Sequence, residues 1–239
     1  MDKEITNKKT IVLRSRVNEE QVLEFANKKK TSLFGNVFSR PKPEEVEISS
    51  VELFYEPYWM ISGSYSADYY RKNAYEVETD SNVTEAIIGK GTFPVTTESG
   101  TWSKLKDSFK GGDKRNKLNI PVEEHVLLNI EEKVFLNSAG SEIKFPYKLD
   151  SDNLENFPED VLKANESNIR STSVNDDEAV KFLIDILQQD SEENVRMIKE
   201  KIIVDNFFEI FVPIYEARCV ASNNKVEVLR IDAIDLKAL

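Results

Sequence analysis

From residue 51 the chain alternates. Odd positions carry Val51, Leu53, Tyr55, Trp59, Ile61 and Tyr65, while even positions mix Glu52, Glu56, Ser62 and Ser64 with Phe54, Tyr58 and Met60. A period of two with one strongly apolar face predicts a β-strand. Pro57 has no N–H to donate, so it belongs at an edge, a bulge or a strand break. Residues 74–79 and 83–88 read as two more strands, joined by turn chemistry at Asp80, Ser81 and Asn82.

Ahead of that strand the period is helical. Asn18 and Gln21 have the spacing of a capping box, and Val17 and Val22 that of a hydrophobic staple. Val22, Phe25, Ala26 and Lys29 follow at helical spacing, and Lys28, Lys29 and Lys30 suit the negative C-terminal end. The prolines at 41 and 43 end the pattern.

The last third repeats this order. Asn175 and Glu178 form a second capping box, with Ala179, Val180, Leu183, Ile184 and Leu187 on one helical face. A further helix is predicted from Ser191 through Val195, Ile198 and Ile202. Residues 207–219 then read as a strand, Asn223 and Asn224 as a turn, and 225 onward as the returning strand. Placing Pro213 on Pro57 matches Tyr55 with Phe211, Trp59 with Tyr215, and residues 75–77 with 226–228. This suggests an internal duplication of a helix-strand-strand-strand unit.

Between the repeats, residues 123–147 read as a hairpin of 126–130, 133–136 and 142–145, turning at 137–140. Residues 150–177 read as loop with one short helical turn after Pro158. The expected fold is α+β, with antiparallel β-meanders each packed by helices on one face. Three regions are expected: 1–98, α+β; 99–119, a basic flexible linker; and 120–239, an acidic α+β region.

Charge supports that division. Residues 1–119 carry 19 Lys+Arg against 18 Asp+Glu, whereas 120–239 carry 13 against 25. The total of −11 over 239 residues, with 40% hydrophobic content, describes a folded chain that needs no disulfide or metal to hold a core. The single Cys219 forms no internal bridge. The charged N-terminal stretch lacks an apolar signal segment, and no window has the apolar length of a membrane span, so a cytoplasmic protein is expected.

One His and one Cys leave no set for structural or catalytic zinc within one chain. No nucleophile elbow, P-loop or dinucleotide glycine pattern occurs. Asp150, Asp152 and Glu155 begin like a calcium loop, but Leu154 takes a ligand position and the glycine is missing. No metal, cofactor or catalytic residue is assigned. His125 follows Glu123 and Glu124, whose carboxylates would tune it, and reads as a surface histidine. Cys219 reads as a buried thiol.

Two groups remain as candidate sites. Lys104, Lys106, Lys110, Lys114, Arg115 and Lys117 lie near Trp102 and Phe109, a mix suited to phosphate contact with base stacking, or to an acidic protein groove. Tyr55, Tyr58, Trp59, Tyr65, Tyr69 and Tyr70 form an aromatic series that suits core, pocket or interface equally. A pocket would lie between the sheet and helix 18–30, with Tyr65 and Arg71 as polar groups. The leading expectation is a non-enzymatic interaction module, binding a protein partner or a second copy through a sheet face, an edge or the basic loop. A small apolar ligand and nucleic acid held by residues 102–117 are the alternatives.

Overall fold

The computed structural model describes residues 5–35, 40–96, 116–188 and 195–239. Among them are three α-helices and a mostly antiparallel seven-stranded sheet, as the mixed α and β expectation required. The elements are β1 (Lys8–Val12), α1 (Glu19–Lys29), β2 (Val46–Thr79), β3 (Glu85–Ile88), β4 (Gly91–Thr96) and β5 (Asn116–Leu136), followed by α2 (Pro158–Ala164), α3 (Asp176–Leu187), β6 (Arg196–Ala221) and β7 (Val226–Asp232). The strand order is β1-β6-β2-β5-β4-β3, with β7 also paired to β6. β1 runs parallel to β6, and β7 antiparallel to it.

Both capping boxes form as the spacing predicts. Asn18 accepts from the Gln21 N–H while the Gln21 side chain accepts from the Asn18 N–H, and Asn175 and Glu178 do the same for α3. All five apolar positions predicted for α3 are buried. Val17 packs beside Val22, completing the staple of α1.

Several expectations change. Residues 51–65 and 74–79 are not separate strands but lie in the single strand β2. The hairpin over 123–147 turns at 137–140 as expected, but its first arm is the end of one long strand, β5, and its second arm pairs only briefly, through the Leu136–Glu142 bridge and the Ile143 N–H to the Phe135 carbonyl. No helix covers 195–202. Residues 196–202 open β6, while 191–194 lie outside the described residues. β1 was not foreseen at all. The duplication is also not reproduced: residues 75–77 lie within β2, whereas 226–228 belong to a separate strand after a turn.

Two of the strand prolines, Pro57 and Pro213, sit beside breaks in the ladders. Near Pro57, β2 borders irregular chain: Tyr55 bridges Ile169, its carbonyl accepts from the Arg170 N–H, and Leu53 accepts from Asn168. Pro213 falls between two partners of β6. Residues 207–211 pair with β1 and residues 214–220 pair with β7, so the residue without a donor occupies the gap.

The chain packs as two compact units. One is drawn from residues 1–65, 130–189 and 202–239, the other from 66–129 and 190–201. In the first, α1 buries Val22 and Ala26 against Ala217, Leu229 and Ile231. Val161 and Leu162 of α2 pack on Tyr55, Val12 and Phe211. A further cluster joins Met60, Ile210, Val212 and Ile214 to Tyr58, Phe145 and Tyr147. In the second unit, the fully buried positions among the described residues are Ala67, Tyr69, Asn116 and Leu118. Asn116 is tied down by its amide, which donates to the Ser81 carbonyl at 3.1 Å.

Candidate functional site

The aromatic series does not form one site. Tyr55 and Trp59 are buried at odd positions of β2, and Tyr65 is 1% exposed. Tyr58 points the other way, meeting Phe145 edge-on with ring centroids 5.7 Å apart. Burial raises its phenol to about 12, with the neighbouring Glu56 carboxylate adding to the shift. Tyr69 and Tyr70 belong to the second unit. Tyr69 is buried, while Tyr70 stacks on His125 at 4.6 Å under the Arg196 guanidinium. The contact beneath α1, where a pocket was expected, is filled by the apolar cluster around Val22 and Ala26.

Of the basic group, Trp102, Lys104, Lys106, Lys110, Lys114 and Arg115 lie outside the described residues. Lys117 opens β5 and pairs with Glu76 at 3.1 Å. His125 meets neither of its sequence neighbours as partner. Its Nε2 lies 2.6 Å from Asp68 on β2, whereas Glu124 points to the opposite face. Alternation of side chains along a strand explains why adjacency misled. Cys219 is buried, as expected, and burial raises its thiol. Among the described residues no group of three or more His, Cys, Asp or Glu is arranged to hold a metal, and no helix is long and apolar enough to cross a membrane.

The second unit presents two faces of different character. Arg71, Asn73 and Tyr75 of β2 all bond to Glu124 of β5, so these side chains share one face. Hydrogen bonds from Tyr75 and then Arg71 hold the Glu124 carboxyl below its ordinary range. By alternation Val77, Ile120, Val122 and Val126 lie on the same face. The register continues it: Leu118 pairs with Val95, and Phe93 with Ala86. On the opposite face Asp68, His125, Tyr70, Arg196, Glu123, Glu76 and Lys117 are paired among themselves, and Leu127 and Ile87 stand exposed beside them.

The Glu124 face is apolar but open. Tyr75 is 52% exposed and Val77 43%, while Ile120, Val122 and Val126 are half-buried. Among the described residues no helix belongs to this unit. The alternation along β5 was readable from the sequence, because Ile120, Val122, Val126 and Leu128 recur at period two. What hid the face was the reading of 126–130 as a short hairpin arm, which left the start of β5 outside any predicted strand. No family model, curated protein or solved structure matches the chain.

Proposed function

We propose that this protein is a non-enzymatic interaction module whose protein partner docks on the Glu124 face of β2, β5, β4 and β3. The observation that carries the reading is the run of neighbouring apolar side chains on this face, Val77, Ile120, Val122 and Val126, with no helix of the unit's described residues to cover them. A sheet gains stability by burying its apolar face against another layer, and here a partner would supply that layer. At the centre of the face, the Arg71, Asn73, Tyr75 and Glu124 cluster gives a polar anchor amid the apolar positions. Such an arrangement favours orientation as well as burial.

The test is native mass spectrometry of the protein purified from its own host at low salt, compared with a V77K/V122K variant. Both substitutions place charge on the open face without touching a fully buried side chain. The reading predicts a protein-containing assembly larger than the 27.4 kDa chain that is lost in the variant while circular dichroism is unchanged. A bare monomer, or an assembly indifferent to the variant, overturns it.

A further inference from the structure

The sheet ends at β3, which pairs with β4 on one side and with no described strand on the other. A two-residue turn, Gly89 and Lys90, joins the two, with Ile88 opposite Gly91 and Ala86 opposite Phe93. The Thr84 carbonyl accepts from the Val95 N–H at 3.1 Å, so the backbone at this position turns toward β4. Bonding alternates along an antiparallel ladder. Ala86 and Ile88 therefore also face β4, while the N–H and C=O groups of Glu85 and Ile87 point to the open edge. Proline and lysine are common blocks on such an edge, and β3, Glu-Ala-Ile-Ile, carries neither.

The side chains at this edge decide which strand fits. Ile87 is 72% exposed and Ile88 44%. The hairpin 83–96 holds two charges, Glu85 at the start of β3 and Lys90 at its tip, and neither enters an ion pair among the described residues. The hairpin is therefore neutral within a chain of net charge −11, so a second copy meets little repulsion there. Pairing β3 antiparallel with itself, centred on Ile87, sets Ile87 on Ile87 and Ala86 on Ile88. Gly89 of each copy then lies opposite Glu85 of the other, which brings Lys90 beside that carboxylate. Parallel pairing would instead set Glu85 on Glu85 and Lys90 on Lys90, an arrangement that like charges disfavour.

We propose that β3 pairs with β3 of a second copy of this chain, antiparallel and centred on Ile87, so that the two sheets continue through the edge. The contact is a few residues a side. It fits a dimer that forms reversibly at high concentration and is open at the dilution of native mass spectrometry. Neither Val77 nor Val122 of the Glu124 face belongs to it.

Sedimentation equilibrium of the full chain should show monomer and dimer in exchange, with Kd of about 100 µM. I87K puts two lysines on the symmetry axis and should weaken the dimer about tenfold, with circular dichroism unchanged because the side chain is exposed. E85K and K90E should each weaken it about fivefold, since the two-fold axis repeats each lost ion pair. Mixed in equal amounts, these two variants should associate as tightly as the parent, because one copy then carries both lysines and the other both glutamates. V77K/V122K should dimerise like the parent. The proposal is overturned by a chain that stays monomeric well above the expected Kd, by a dimer that I87K leaves intact, or by a mixture no tighter than its components. Loss of the dimer in V77K/V122K overturns it too, and moves self-association to the Glu124 face.

Discussion

Single residues set sharp limits on this fold. A methyl group at Gly63 would overlap the Ile203 carbonyl oxygen and press the Leu183 side chain at 3.1 Å. G63A is therefore expected to cost about 1–3 kcal/mol, read as a lower urea midpoint at unchanged slope. Asp232 is 3% exposed and accepts from the Tyr147 hydroxyl and from the N–H groups of Ile234 and Asp235. D232A leaves those donors unpaired and should cost about 3 kcal/mol in the same measurement. Two groups give pH signatures of opposite sign. Tyr58 binds its proton more tightly folded than unfolded, so its contribution is whole below about pH 10 and is lost toward pH 12. Ultraviolet titration should count one phenol fewer still protonated near pH 11 in Y58F than in the parent, since Tyr147 is raised as well. The lowered Glu124 carboxyl contributes above its unfolded value of about 4.3, and that contribution is lost as pH falls through the folded value. The fall in thermal midpoint between about pH 5 and pH 3 should be shallower in E124Q.

At the scale of elements, legibility followed local signals. The helices α1 and α3 were readable because cap, staple and apolar stripe all agreed. Replacing Asn175 with Ala should cost about 1 kcal/mol, and L183A about 2–5 kcal/mol, by thermal unfolding. The start of β6 was misread because Arg196, Met197, Lys199, Glu200 and Lys201 have helical propensity, and Val195, Ile198 and Ile202 fit a helical period. Strand pairing overrode that preference. The phase of burial also slips between Val204 and Phe207, so no single alternation runs through β6. β1 went unseen because five residues carry too little pattern, and its ladder depends on distant β6. Candidate sites were harder still. Residues 83–88 read as a strand from the sequence, yet nothing local marks them as the end of the sheet. That place follows from how β2, β5 and β4 pair, and no spacing rule supplies it.

Across the whole molecule, the two units differ in how much they bury. The first contains every residue of the apolar clusters around Met60, Val22, Tyr55 and Val46. The second has four fully buried positions among its described residues. Amide hydrogen exchange is therefore expected to be faster in residues 66–79 and 116–129 than in 207–220, since protection tracks local burial. Equal protection throughout would mean that the second unit is stabilised by something other than its own burial.

The gap at Pro213 has a consequence in time. On one side of it, β6 meets β7 across a short turn. On the other it meets β1, 199 residues away in the chain. Closing the longer loop costs about 3 kcal/mol more in chain entropy. During synthesis at roughly 5–20 residues per second, β1 leaves the ribosome about 10–40 s before its mate exists. For that interval β1 lacks its ladder partner, with only Val12 and Leu13 able to meet residues 154 and 155, whereas β7 finds β6 already made. A strand made early is therefore among the last to be secured, and a chaperone that acts on nascent chains would find a long opportunity at β1.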